Sequence, residues 1–173
     1  MRRPARRAQS LMALALIAPA AVAGCTSGGS SDTAALVADY ATVDDQYRQI
    51  QTGLSLPKGV SYPAHMPDSG GRYVTGAGTV TAQNYWFCAW LWTYLGEIPA
   101  ARGQSRQAVQ QLLKYPRMDA YTNGLDAKGR GSVDTAIQAA GQGTTPNVRT
   151  FARTSCGGPF YGQAHGAASV QTD

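Results

Sequence analysis

His65 and Asp68, in Pro63-Ala64-His65-Met66-Pro67-Asp68, are the residues of this 173-residue chain whose types and spacing come nearest to acid–base chemistry. A carboxylate three residues beyond an imidazole can orient the ring and support its protonated form. Arg72 completes the candidates in that stretch. No nucleophile stands at a recognised spacing from them, and Asp68-Ser69-Gly70-Gly71 lacks the glycine two residues before serine that a nucleophile elbow requires. The plainer reading of His65 is a loop histidine. His165, the second and last histidine, lies in a glycine-rich tail and does not join it in a zinc-ligand spacing. Glu97 is the sole glutamate, so a glycosidase pair would need scattered aspartates such as Asp119 and Asp126. Gly76-Ala77-Gly78-Thr79-Val80-Thr81 starts like a dinucleotide fingerprint, but Thr81 replaces the third glycine and no strong strand precedes it. The chain therefore offers no complete catalytic set, no cofactor motif and no metal-ligand spacing, and reads as non-enzymatic.

A second constellation is aromatic. Tyr85-Trp86-Phe87-Cys88-Ala89-Trp90-Leu91-Trp92-Thr93-Tyr94-Leu95 contains all three tryptophans and no charge. Trp86, Trp90 and Tyr94 form one i, i+4 line, and an exposed line of this kind binds sugars, lipids or partner helices. Apolar groups nevertheless point in every direction around this helix, which predicts a buried element at the centre of the domain. The run is too short for a bilayer, which takes about 20 apolar residues.

The N-terminus determines the compartment. Arg2, Arg3, Arg6 and Arg7 form a basic segment, Leu11 to Ala23 an apolar one, and Val22-Ala23-Gly24-Cys25 follows. This arrangement resembles the signal peptide and lipobox of bacterial lipoproteins. The resemblance covers about the first 25 residues and implies diacylglycerol on the Cys25 thiol, with cleavage just before it. The alternative is an ordinary signal cut after Ala21-Val22-Ala23. Ala8-Gln9-Ser10 lacks the hydrophobic residues that twin-arginine export needs after Arg6-Arg7, so Sec export is expected. Two or three acyl chains, at about 0.8 kcal/mol per buried methylene, hold a protein on a membrane where one does not.

Loss of the signal changes the charge. The whole chain carries 15 basic and 10 acidic residues; removal of four arginines leaves 11 against 10, a net +1. That balance gives no basic surplus for a nucleic-acid partner. The remaining charge is segregated, with an acidic stretch before Ser69 and a mildly basic body after it. With Cys25 lipidated, Cys88 and Cys156 are left as one pair in an exported protein, and a disulfide between them is expected.

The elements that would position these groups are helical. Thr26 to Ser31 is a flexible tether. Ser31 or Asp32 caps a predicted helix to about Gln51, with Leu36, Tyr40, Val43, Tyr47 and Ile50 as a narrow apolar stripe and Asp44 and Arg48 on its solvent side. Three prolines and six glycines exclude a helix from Gly53 to Thr79, although Arg72 to Thr75 suits a short extended piece. Any specific site is expected first in this loop. The aromatic helix starts at Thr79 or Thr81 and ends at Gly96, and a further helix starts at Gly103 to Ser105. Asp119 to Tyr121 adds a turn, Lys128 to Gly131 reads as loop, and Ser132 caps a short helix. Thr145-Pro146 opens a last helix that carries Cys156 on its inner stripe. Residues 157–173 read as a mobile tail.

The expectation is an all-α bundle of four to five helices spanning 32–156, with one long Pro/Gly loop and one disulfide, behind a signal at 1–24 and a tether at 25–31. Its expected place is the extracytoplasmic face of the cell membrane, as a binding or scaffolding component facing an envelope protein or the cell wall. The alternatives are a small envelope enzyme using the 53–79 loop and a glycan- or ligand-binding lipoprotein using exposed aromatics.

Overall fold

A computed structural model of the chain describes residues 37–165. Cys25, the signal segment, the tether and residues 166–173 lie outside the described residues. The fold is all-α, with six α-helices and one minimal sheet among the described residues. In that sheet β1 (Val37–Ala38) runs antiparallel to β2 (Tyr73–Val74), with Val37 opposite Val74. The expected extended piece at Arg72 to Thr75 is therefore present, and it pairs the loop with residues 37–38 just before the first helix.

The first helix among the described residues is α1 (Tyr40–Gln51); the predicted caps Ser31 and Asp32 lie outside them. Asp39 caps it: its side chain accepts from the Thr42 N–H at 2.8 Å, while Val37 and Ala38 are drawn into the sheet. Val43 and Tyr47 point inward as the stripe predicted.

The central helix, α2 (Ala77–Tyr94), is preceded by Gly76 as N-cap and so starts before Thr79 or Thr81, and twelve of its 18 residues are buried. It packs on α1, on α3 (Ser105–Leu112), on α4 (Asp119–Thr122) and on α6 (Thr145–Cys156). Neighbours on all sides are what a helix apolar all round requires. Gly78 allows the approach of α1: a Cβ there would lie 1.8 Å from the Val43 carbonyl oxygen. Gly96, with φ of +73°, closes the C-terminus and turns the Glu97 N–H back to the Trp92 carbonyl at 3.0 Å.

Two expectations about the C-terminal half are corrected. Residues 128–131 are not loop but the first turn of α5 (Ala127–Gly141), because Asp126 caps it by accepting from the Gly129 N–H at 2.7 Å. That cap, worth about 1 kcal/mol, offsets part of the cost of two glycines in a helix. The chain beyond Cys156 is also not a free tail as far as it is described. Tyr161–His165 forms a 3₁₀ turn against α2, with Gly162 and Ala164 buried. Phe160 packs between Tyr47 and Tyr85, at 6.1 and 5.5 Å between ring centres, and His165 packs on Trp92 at 4.8 Å. Aromatic side chains hold the segment that glycine and alanine composition left without apparent anchors.

The long irregular loop is held by donors that the aromatic side chains supply. Its prolines remove backbone N–H groups, but its carbonyls still need partners. Tyr40 donates to the Met66 carbonyl at 2.8 Å, Tyr47 to Pro63 at 3.1 Å and Tyr85 to Ser61 at 3.0 Å. Trp86 and Trp90 both donate to Ser55, at 2.9 and 3.2 Å. The apolar bodies of these rings build the core while their polar tips fasten the loop to it.

Candidate functional site

A cleft of about 430 Å³ opens between α2, α5 (Ala127–Gly141) and α6. Its back wall is the Cys88–Cys156 disulfide, which joins α2 to α6 with 5.5 Å between the Cα atoms. Phe87 stands one residue before Cys88 and is sandwiched between two partners: Tyr115 stacks on it at 4.0 Å and Phe151 meets it edge-on at 6.1 Å. Val133 from α5 and Leu125 from the turn before it face these rings across the opening.

Asn84 supplies a polar floor one helical turn before Cys88 on the same face of α2. Its amide oxygen accepts from the Tyr115 hydroxyl, and Tyr161 lines the cleft with it. Burial pushes both phenols above their ordinary pKa; for Tyr115 the proximity of Tyr161 adds to this, and for Tyr161 the neighbouring Asn84 and Thr81 partly oppose it. The floor is thus neutral at physiological pH. Asp126 and Lys128 stand at the rim, one charge of each sign, and Asp126 is occupied with capping α5. Apolar walls with a few convergent polar groups, at this size, are the usual make-up of a small-molecule site.

The residues that the sequence singles out lie elsewhere or have other duties. His65 does find a carboxylate, but it is Asp44, not Asp68: Nδ1 is 2.8 Å from Asp44 Oδ2. Asp44 also accepts from the Met66 N–H at 2.9 Å and lies 3.3 Å from Arg48 Nε. Expected on the solvent side of α1, Asp44 is instead buried beneath the loop. Its burial opposes ionisation, but the bonds from His65 and Met66 and the charges of His65 and Arg48 outweigh that and hold its pKa below the usual carboxylate value. Asp68 faces its own turn, accepting from the Gly70 N–H at 2.8 Å and the Tyr73 hydroxyl at 2.7 Å, which lower its pKa in that order. Arg72 lines a separate surface hollow with Asp39 and Thr42. His65, Asp68 and Arg72 therefore do not converge as a set.

Trp86 and Trp90 are buried, at 2 and 1% exposure, and pack edge-to-face at 6.5 Å. They form core and loop anchor rather than an exposed platform. Cys88 and Cys156 form the expected bridge. Among the described residues no three His, Cys, Asp or Glu side chains gather as a metal site, and no helix is long and apolar enough to cross a membrane.

The cleft residues Asn84, Tyr115, Phe151 and Tyr161 were not legible as a group, because they come from four separate elements. One signal was present. Asn84 and Cys88 are i, i+4 on the aromatic helix, so a polar group and the disulfide had to share a face. Compared with known proteins, the chain matches no family model, no curated protein and no solved structure.

Proposed function

We propose that this protein is a lipid-anchored, non-enzymatic binding component on the extracytoplasmic side of a bacterial cell membrane, with the α2–α5–α6 cleft as its ligand site. The cleft carries this reading. It is of ligand size, its walls are aromatic and aliphatic, and a disulfide and three interlocked rings hold it in shape before anything binds. The lipobox-like Val22-Ala23-Gly24-Cys25 supports the anchor, and a disulfide suits an oxidising compartment. An enzymatic reading through residues 53–79 rests on a single observation, the orientation of His65 by the buried Asp44.

Two measurements test the proposal. Metabolic labelling with an alkyne fatty acid should mark the protein, and Cys25→Ala should abolish the label and release the protein from membranes; unchanged labelling and partitioning would refute the anchor. For the cleft, the protein extracted in mild detergent should carry a small molecule visible by native mass spectrometry. Ser132→Trp, at an exposed position on the cleft wall, should displace it. Equal occupancy in both forms would remove the cleft from the function.

A further inference from the structure

Resting on the cleft as ligand site, we infer that its occupant is a neutral, planar aromatic molecule of one or two rings carrying a hydroxyl group. Size sets the first limit. At about 430 Å³ the cleft falls toward the lower end of the range of small-molecule sites, which suits a small ring system.

The walls set the second limit. Phe151, the least buried of the three rings, lies edge-on at 82° to Phe87, which with Tyr115 stacked on it at 22° lines the cleft beside the disulfide sulfurs. A flat aromatic guest stacks on one ring while meeting another edge-on, and sulfur beside a ring adds a further favourable contact. A flexible alkyl chain gains neither of these and loses rotational freedom on entry.

The floor sets the third. The Tyr115 hydroxyl spends its hydrogen on Asn84 Oδ1, so its oxygen can only accept from a guest. With its oxygen engaged by Tyr115, the Asn84 amide has its N–H groups as the donors it can offer a guest. One acceptor beside one donor matches a hydroxyl, which both donates and accepts. Among the described residues the one cation lining the cleft, Lys128, is exposed and accompanied by Asp126, so the two charges offset one another. A carboxylate or phosphate entering there would lose its hydration without a charge partner.

The test uses the full chain carrying Cys25→Ala, purified without detergent, and equilibrium dialysis against four probes: 2-naphthol, naphthalene, 2-naphthoate and decan-1-ol. 2-Naphthol should bind saturably at one site. Naphthalene, 2-naphthoate and decan-1-ol should each bind about tenfold or more weakly, the loss of a hydrogen-bond pair or of ring contact. Asn84→Leu should erase the preference for 2-naphthol over naphthalene, whereas Phe151→Ala should weaken both; thermal melts show which variants fold. If decan-1-ol or 2-naphthoate binds as well as 2-naphthol and Ser132→Trp still blocks it, the ligand class is wrong and the cleft reading stands. If no probe binds at about 1 mM, the ligand class is wrong. If binding survives Ser132→Trp unchanged, the cleft is not the site and both readings fall.

Discussion

Asp44 and His65, 21 residues apart, meet at 2.8 Å across the seam between α1 and the long loop. The aspartate is buried, the imidazole is largely exposed at 65%, and the Met66 N–H reaches the same carboxylate. The pair thus latches the irregular segment to the helical body.

The latch has a pH dependence with a defined sign. Asp44 has a pKa below its unfolded value, so its contribution is fully present above about pH 4 and is lost as pH falls through the lower folded value. The urea midpoint of the wild type should therefore fall more steeply with acid below about pH 4 than that of Asp44→Asn. Asp39 and Asp68, also lowered, act in both proteins and cancel in the comparison. Parallel midpoint curves for the two proteins would refute the latch. At neutral pH Asp44→Ala should cost about 2 kcal/mol, the loss of charge-assisted bonds to His65 and Met66.

Trp86 and Trp90 share one acceptor, the Ser55 carbonyl. Trp86→Phe or Trp90→Phe alone leaves that oxygen one donor, whereas the double variant leaves it none. A double-mutant cycle in urea should show the double variant less stable than the sum of the singles by about 1 kcal/mol. Strict additivity would mean that water replaces the indoles at Ser55. Because all three tryptophans are at most 5% exposed, wild-type emission should also resist acrylamide quenching.

Gly78→Ala should be among the most damaging small changes in the protein. The added methyl would meet the Val43 carbonyl oxygen at 1.8 Å and the Tyr47 nitrogen at 2.7 Å, both backbone atoms of α1. Neither atom can rotate away, so the two helices must separate, at a cost of about 3 kcal/mol. Thermal melting measures it. Gly131→Ala, where a Cβ meets nothing within 4 Å, is the control and should stabilise α5 slightly.

The Cys88–Cys156 bridge closes a loop with a sequence separation of 68 residues. On the chain-entropy model its removal by Cys88→Ala with Cys156→Ala costs about 4 kcal/mol. Chemical denaturation of that variant should show the loss, and the unreduced protein should show no free thiol at either cysteine. The same variant should alter ligand capture, since the bridge is the back wall of the cleft.

Much of the fold was legible in local pattern. All-round hydrophobicity identified α2 as the core helix, the 3-4 spacing of Tyr40, Val43 and Tyr47 gave the inner face of α1, and Thr145-Pro146 marked the start of α6 within a residue. Local pattern misplaced Asp44, because helical periodicity put it outside while a segment without periodicity came to cover it. It also misread residues 128–131 and 157–165, where one cap or a few aromatic contacts outweigh the disorder that glycine suggests.

What the sequence alone determined are properties set by residue type and near-neighbour spacing: the helical class, the central helix, the cysteine pairing left once Cys25 is set aside, and the lack of a local catalytic motif. Only the tertiary structure decided which carboxylate meets His65, which carbonyls the tyrosines and tryptophans bind, and that Asn84, Tyr115, Phe151 and Tyr161 enclose one cleft. The physical reason is range. Caps, periodicity and turn chemistry act within a few residues, whereas these contacts join positions 16 to 77 residues apart whose distance is set by packing.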